Sequence, residues 1–364
     1  MSRRFGLAAA VVVLAGCVTA PIGETTSPTA STTPSPTASV SPTSTPSQPA
    51  TAEPRGPLTW APLEATGPPA REDHTWTVGG DGRTAFLFGG RDGPTVHGDL
   101  WAYDLDADAW SQLSPDDGPA ARFGHEATWV DGVGLVVFAG QAGADFFNDL
   151  WAYDPGAGSW RELPAEGDVP VARYGTCAAL GPDGRLWISH GFTTDGTRFD
   201  DTRAYDFGAG SWTDESPDAG DRPVERCLHG CWWSDDGALT LFAGQTTGTT
   251  ALDDRWRLAD GTWSQASGAL PPARNLYARV RLDGATLVFG GQALDGGYLA
   301  DLWLLRDGDT DAAAEEATGS APGGRAGAEL VHDAAGERVL LFGGRDADGG
   351  LADLWQLEGV AVEE

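Results

Sequence analysis

The sequence predicts an all-β fold made of short strands and tight turns. Its 364 residues include 51 Gly and 24 Pro, residue types that interrupt regular elements and favour turns. Long stretches with the 3.6-residue apolar period of amphipathic helices are missing, and short Asp-Gly turns separate many of the apolar runs. A pattern of about fifty residues also recurs along the chain, as in architectures that repeat one small sheet.

Each repeat carries the same markers in the same order. An arginine follows a Pro- or Gly-rich turn at Arg71, Arg122, Arg173, Arg226, Arg274 and Arg325. An apolar run then ends in a small or polar residue and a glycine at 89–90, 139–140, 190–191, 243–244, 290–291 and 343–344. The next strand starts with Asp99, Asp149, Asp201, Asp254, Asp301 or Asp353. Two residues later stands Trp101, Trp151, Trp256, Trp303 or Trp355, with Arg203 at this place in the third repeat.

A second tryptophan closes four repeats, at Trp110, Trp160, Trp212 and Trp263. This spacing of paired glycines, an aromatic residue and a later tryptophan resembles the kelch repeat, and the resemblance covers residues 58–364. It implies a six-bladed kelch β-propeller in which each repeat forms one four-stranded blade. In the first repeat we expect strands at 74–78, 85–88 and 100–103 and another around Trp110. Residues 58–63 read like an outer strand, whereas the last repeat ends without one. We therefore predict that this N-terminal strand completes the last blade and closes the ring.

The first sixteen residues are predicted to be a lipoprotein signal peptide. Arg3 and Arg4 precede an apolar run at 7–14 that is too short to span a bilayer. The next residues, Leu-Ala-Gly-Cys at 14–17, resemble the lipobox of bacterial lipoproteins, in which the cysteine is lipidated after cleavage. The resemblance implies an exported protein, anchored to the outer face of the cytoplasmic membrane or to the cell surface by lipidated Cys17.

Residues 17–57 are predicted to be the lipidated cysteine and a disordered tether. Ser, Thr, Pro and Ala make up almost all of 21–57, and such a segment cannot bury enough apolar surface to offset the entropy of ordering. We therefore divide the chain into a signal peptide at 1–16, a tether at 17–57 and a propeller at 58–364.

The charge of the chain argues against nucleic acid and anionic lipid as partners. The formal charge is −30, and all 23 basic side chains are Arg because the sequence contains no Lys. Loss of 1–16 removes two Arg and no acid, which brings the charge to −32. Such an acidic extracellular protein repels nucleic acid and anionic lipid. We therefore expect the protein to reach the membrane only through its lipid anchor. We also expect it to be a monomer.

Two classes of function remain open. The leading hypothesis is a non-catalytic binding module for a protein, peptide or glycan partner. The alternative is an exported carbohydrate-active enzyme, because kelch folds include a copper oxidase related to galactose oxidase and a bacterial sialic-acid epimerase. His74, His125 and His229 share one position in their repeats and are read as ordinary inner-strand side chains. No catalytic residue, metal or cofactor is predicted from the sequence.

Three cysteines besides Cys17 leave the disulfide pairing open. Outside the cytoplasm two of them are expected to pair, with one thiol left over. Cys227 and Cys231 lie on one predicted strand about 13 Å apart, too far to bridge. Cys177 is therefore expected to pair with one of these two on the neighbouring blade.

The binding surface is expected on the face that carries the repeat arginines and the longer loops. These loops span 91–98, 141–148, 192–200, 245–252, 292–300 and 345–352. By resemblance to kelch domains that bind acidic peptides, Arg71, Arg122, Arg173, Arg226, Arg274 and Arg325 form a positive ring there. We favour the alternative interpretation, in which loop carbonyls or the aspartate that begins the third strand hold each arginine, because an arginine fork satisfies several backbone acceptors. The loops add Arg91, His97, Phe146, Phe147, Phe199, Tyr298 and Arg345 as contact residues, unless the aromatics pack down onto their own loops.

Overall fold

The computed structural model describes residues 56–115, 117–217, 220 and 222–360. The described chain forms 31 β-strands and one short 3-10 helix, which confirms the predicted all-β class. Within these ranges no helix is long and apolar enough to cross a bilayer. The predicted signal peptide, Cys17 and nearly all of the predicted tether lie outside the described residues.

The first three repeats form separate sheets. Strand β1 (Leu58–Leu63) precedes the first repeat. That repeat contains β2 (Thr75–Val78), β3 (Thr84–Phe88), β4 (Arg91–Asp92), β5 (Thr95–Val96), β6 (Leu100–Asp104) and β7 (Ala109–Leu113). The second contains β8 (Glu126–Val130), β9 (Gly134–Phe138), β10 (Gln141–Ala142), β11 (Asp145–Phe146), β12 (Leu150–Asp154) and β13 (Ser159–Glu162). The third contains β14 (Glu166–Gly167), β15 (Cys177–Leu180), β16 (Leu186–Ser189), β17 (Thr202–Asp206) and β18 (Ser211–Asp214).

The last three repeats follow the same plan, with longer strands in the fourth and fifth. The fourth contains β19 (Gly230–Trp233), β20 (Leu239–Thr246), the 3-10 helix Thr247–Thr249, β21 (Thr250–Ala259) and β22 (Thr262–Gln265). The fifth contains β23 (Arg274–Asn275), β24 (Ala278–Leu282), β25 (Ala285–Ala293), β26 (Tyr298–Arg306) and β27 (Ala313–Glu315). The short β28 (Ala317–Gly319) precedes the sixth, which contains β29 (Glu329–Asp333), β30 (Arg338–Phe342) and β31 (Leu354–Glu358).

Within each repeat the long strands run antiparallel in a simple order, and in the third repeat the short β14 pairs parallel with β18. The first sheet has the order β2-β3-β6-β7 and the second the order β8-β9-β12-β13, with β4-β5 and β10-β11 as separate hairpins in the loops. The strands of the first repeat begin and end within about one residue of their predicted positions. Because successive strands reverse, the arginines and longer loops lie at one end of each sheet, the loop face. The Asp-Gly turns lie at the other end, the hairpin face.

The apolar core lies in layers between consecutive sheets. In β3, Phe86 and Phe88 face the second repeat, whereas Ala85 and Leu87 face the sixth. Such strands are apolar throughout because both faces of each sheet are covered. Similar layers join the second repeat to the third, the third to the fourth, the fourth to the fifth and the fifth to the sixth.

The strand before the first repeat belongs to the sheet of the last one. β1 pairs antiparallel with β31, from Thr59 opposite Glu358 to Leu63 opposite Leu354. On its other side, β1 pairs in parallel with β28. Its Trp60 is buried and lies 5.4 Å from the ring of Phe289 in the fifth repeat.

A disulfide joins the third and fourth repeats. Cys177 in β15 and Cys231 in β19 are bonded, with their Cα atoms 5.6 Å apart, and Cys227 is a buried free thiol. The prediction that Cys177 pairs with the neighbouring repeat is confirmed, and the structure selects Cys231 as the partner. The bond links two inner strands 54 residues apart in sequence.

Candidate functional site

The six repeat arginines are structural and do not form an exposed positive ring. Their side chains are at most 3% exposed, and each guanidinium makes a two-pronged contact with the aspartate that begins the third long strand of its own repeat. In the second repeat, Arg122 donates to both Asp149 oxygens at 2.7 and 2.9 Å and to the Ala139 and Ala120 carbonyls at 3.0 Å. With their donors bound inside the protein, these arginines are not available to a ligand.

The same aspartates bind the residue two positions further on. Trp151 Nε1 donates to Asp149 Oδ2 at 2.8 Å, and the corresponding tryptophans of four other repeats do the same. In the third repeat Arg203 Nε takes this place and donates to Asp201 at 3.0 Å. Burial alone raises the pKa of Asp149, but the hydrogen bonds and charge of Arg122 outweigh it, so the net pKa lies below its usual value.

A run of backbone hydrogen bonds links the residues two positions after each repeat arginine. Each amide in this run donates to the carbonyl of the equivalent residue in the adjacent repeat, at 2.8–3.2 Å, and the run returns to its start. Its members are Asp73, Gly124, Gly175, Leu228, Leu276 and Gly327. All six have positive φ, a conformation that only glycine adopts freely. These residues surround an opening on the loop face.

A charged cluster occupies one side of this opening. Glu72 binds Arg91 at 3.1 Å through one oxygen and Arg345 through the other. Arg91 also reaches Asp73 at 3.3 Å. Burial and the neighbouring Asp73 raise the pKa of Glu72 to about 7, although the two arginines oppose the change. The Arg91 and Arg345 side chains are 29% and 28% exposed, so both stay partly accessible to solvent.

A row of aromatic rings continues from this cluster. Arg91 lies 4.3 Å above the Phe123 ring, which meets Tyr174 edge-on at 5.5 Å. Tyr174 contacts Phe192 at 5.1 Å, and Phe192 contacts Phe146 at 5.7 Å. Phe192 and Phe146 are half-buried, whereas the first two rings are buried.

Tyr174 of the third repeat reaches over Gly124 of the second repeat to Asp73 of the first. Its phenol donates to Asp73 Oδ2 at 3.1 Å, although these residues are 101 positions apart. The ring lies directly over Gly124, where any Cβ would overlap it. Glycine is therefore required at position 124 both by this close approach and by its positive φ.

Two predicted contact residues pack onto repeat arginines instead of facing solvent freely. The Arg122 guanidinium lies 4.1 Å from the Phe147 ring centre, and Arg173 lies 4.3 Å from that of Phe199. Both rings are half-buried. This geometry is the alternative that the sequence left open, in which loop aromatics order their own loops.

The remaining predicted contact residues lie on the loops of the loop face. Tyr298 is half-buried, and the Arg345 guanidinium lies 5.6 Å from its ring centre. His97 is also half-buried, and its backbone binds Gly90 and Arg122. Burial and the nearby Arg71 charge lower the pKa of His97, so its imidazole is neutral at pH 7.

Glu72, Phe123, Tyr174 and Phe192 are not among the residues predicted from the sequence. Three of them directly follow a repeat arginine, a position at which the residue type changes from repeat to repeat: Glu72, Phe123, Tyr174, Cys227, Asn275 and Ala326. The arginine before this position recurs in every repeat, whereas the residue at the position itself does not. This variation was the available signal that the position is not fixed by the repeat architecture.

The six hydrogen-bonded residues also line a cavity of about 60 Å³. Glu126, Arg279 and Glu329 line both this cavity and a neighbouring one of about 150 Å³. Arg279 binds Glu126 at 3.3 Å. Burial raises the pKa of Glu329 to about 8. The negative charge of Glu126 adds to this increase, whereas the positive charge of Arg279 opposes it.

The three equivalent histidines are buried between sheets. His125 meets Phe88 edge-on at 5.3 Å and its Nε2 lies 2.9 Å from Thr75 Oγ1. Burial and the Arg122 charge lower the pKa of His125 to about 3. In the described part of the chain, no group of three or more His, Cys, Asp or Glu side chains is arranged to hold a metal ion.

A comparison with curated protein sequences gave no match. A family model described as the KLHDC2/KLHL20/DRC7 Kelch-repeats domain matches residues 57–244, just over half of the chain. The matched segment contains the first three arginine–aspartate pairs in full. The chain therefore belongs to the kelch-repeat family.

Proposed function

We propose that this chain is an exported lipoprotein whose six kelch repeats form a closed propeller, with a non-catalytic binding site at the opening on the loop face. Its partner is a protein, peptide or glycan outside the cytoplasm. The lipidated Cys17 and the tether hold this binding module close to the membrane, and the acidic propeller itself adds no attraction to anionic lipid.

Three contacts support a closed ring of six blades. The backbone hydrogen bonds from Asp73 to Gly327 pass through all six repeats and return to the first. An apolar layer packs the sheet of the sixth repeat against that of the first. Strand β1 covers the edge of β31, which would otherwise present unpaired backbone groups.

The observation that carries the binding function is the pairing of exposed charge with aromatic surface around the opening. Arg91 and Arg345 are held in place by Glu72, so they lose little conformational entropy when they bind a partner. Phe146, Phe192 and Tyr298 add half-buried aromatic area beside them. Arginine and aromatic side chains dominate the energetics of protein interfaces, and aromatic faces also stack on sugar rings.

The test is a binding screen on the protein from residue 17 onward with Cys17→Ser, using a peptide library and a glycan panel. For any ligand found, we expect Phe146→Ala with Tyr298→Ala to weaken binding by about tenfold or more without a large change in melting temperature. Both side chains lie at the rim and contact few buried groups, which is why stability should be retained.

A matched control is Phe147→Ala. Phe147 packs on Arg122, so its loss should lower the melting temperature while binding changes little. Unchanged affinity in the Phe146 and Tyr298 variant would contradict a binding site on the loop face. Turnover of sugars in a substrate panel would favour the carbohydrate-active enzyme instead.

A further inference from the structure

A separate slot opens on the hairpin face between the first and second repeats. It has a volume of about 500 Å³, which is the size of many small-molecule sites. Its apolar surface comes from Phe86, Leu113, Trp129 and Tyr153. No residue of the loop-face opening lines it, so it is independent of the proposed partner site.

The indole of Trp129 is held in a fixed position at this slot. Its ring is nearly parallel to that of Phe86, with 9° between the planes and 6.0 Å between the centres. Its Nε1 donates to Asp131 at 2.9 Å. A Cβ at position 80 would lie 2.5 Å from Nε1, so Gly80 leaves the space that the indole occupies.

The rim of the slot is acidic. Asp81 and Asp154 line the slot. Asp131 is close to the slot because it accepts a hydrogen bond from Trp129, which lines it. Each rim carboxylate is oriented by backbone amides: Asp154 accepts from Gly156 at 2.8 Å, and Asp81 accepts from Thr84 at 3.0 Å. Among the described residues that line the slot, none is Arg or His. The charge inside the slot is therefore negative, as it is over the whole chain.

We propose that this slot binds an amphipathic organic cation, an aromatic or aliphatic ring that carries an ammonium group. The ring packs on Phe86, Leu113 and the Trp129 face, and the ammonium lies between the indole and the Asp154 carboxylate. An ammonium over an indole face gains from the ring quadrupole, and a nearby carboxylate adds to that attraction. The negative field of the chain favours cations over neutral or anionic rings.

The probe is benzyltrimethylammonium chloride, titrated by calorimetry and by ligand-detected NMR against the protein from residue 17 onward with Cys17→Ser. Benzyl alcohol and benzoate serve as the neutral and anionic rings. We expect saturable binding of the cation, at least about tenfold weaker binding of benzyl alcohol, and none of benzoate. Trp129→Leu should abolish cation binding.

Trp233→Leu is the matched control, because Trp233 stands at the same place in the fourth repeat and does not line the slot. It should bind the cation like the parent protein. Asp154→Asn keeps the Oδ1 acceptor for the Gly156 amide, so the melting temperature should not change. This substitution should lower the affinity for the cation severalfold, and it tests the site even if the Trp129→Leu variant does not fold. The proposal fails if no saturable binding of the cation occurs, if benzyl alcohol binds equally well, or if Asp154→Asn binds unchanged.

Discussion

At the scale of single residues, the arginine–aspartate pair fixes how each repeat starts and ends. Arg122 holds the turn before its strand through the Ala120 carbonyl and the end of the second strand through the Ala139 carbonyl. It also holds the start of the third long strand through Asp149. One buried guanidinium thus joins three segments of the chain, and the same arrangement recurs in each repeat.

We predict that Arg122→Met lowers the free energy of unfolding by about 3 kcal/mol or more, because it removes the opposite charge from the partly buried Asp149 carboxylate and the Arg122 donors from two carbonyls. Urea unfolding followed by tryptophan fluorescence measures the change. The control is Arg83→Met. Arg83 is 69% exposed and pairs with Asp106 at the surface, so the expected change is below about 0.5 kcal/mol. Equal effects of the two substitutions would contradict the structural role of Arg122.

A second prediction concerns Glu329. Its pKa is near 4.5 in an unfolded chain and about 8 in the fold, so the folded state keeps a proton that the unfolded state releases. The stability contributed by this group is complete below pH 4.5 and is lost as the pH rises to about 8, by at most about 1.4 kcal/mol per pH unit. Glu329→Gln should therefore lose less stability between pH 5 and 8.5 than the parent protein.

Unfolding free energies measured at intervals across this pH range provide the test. Glu162→Gln is the control, because Glu162 is exposed on β13 and its substitution should leave the pH dependence unchanged. If the Glu329→Gln profile matches that of the parent protein, the carboxyl group is not held protonated in the fold.

At the scale of strands, residues with one fixed role were the ones that the sequence could predict. The arginine, the glycine pair and Asp149 meet within one repeat, so their spacing along the chain predicts the strands around them. Tyr174 and Asp73 belong to different repeats, 101 residues apart, and no local pattern reports such a contact. Spacing likewise gives the position of Arg122 but does not show whether its partner is a ligand or Asp149. The interpretation favoured from the sequence, in which loop carbonyls or the aspartate of the third strand hold each arginine, is the one that the structure confirms.

The N-terminal strand provides the prediction at this scale. Deleting 58–63 removes buried Leu58 and Trp60 from the layer between the fifth and sixth repeats and uncovers the edge of β31. We expect a loss of about 5 kcal/mol or more in unfolding free energy, since each large side chain contributes several kcal/mol. Calorimetric melting of this variant and of one lacking 21–50 measures the difference. Equal melting temperatures would contradict ring closure by β1.

At the scale of the whole molecule, the proposed anchor and the proposed binding sites lie in different parts of the chain. The six hydrogen-bonded residues around the opening and the layered cores lie within residues 58–360. The predicted anchor is Cys17, which lies about forty residues before the first strand. A change at the anchor should therefore leave the fold and its two proposed sites unaltered.

We predict that Cys17→Ser yields a folded protein that no longer fractionates with membranes. Without residues 1–16, as we propose for the exported protein, the chain carries a formal charge of −32. Anionic lipid headgroups repel such a chain, so the proposed lipid on Cys17 is the expected means of attachment. Fractionation after a high-salt wash, with the parent protein and a Cys227→Ser variant as controls, measures the attachment. The soluble protein should melt at the temperature of the detergent-extracted parent. Retention of Cys17→Ser in the washed membrane fraction would show that another part of the molecule binds the membrane and would overturn the lipoprotein assignment.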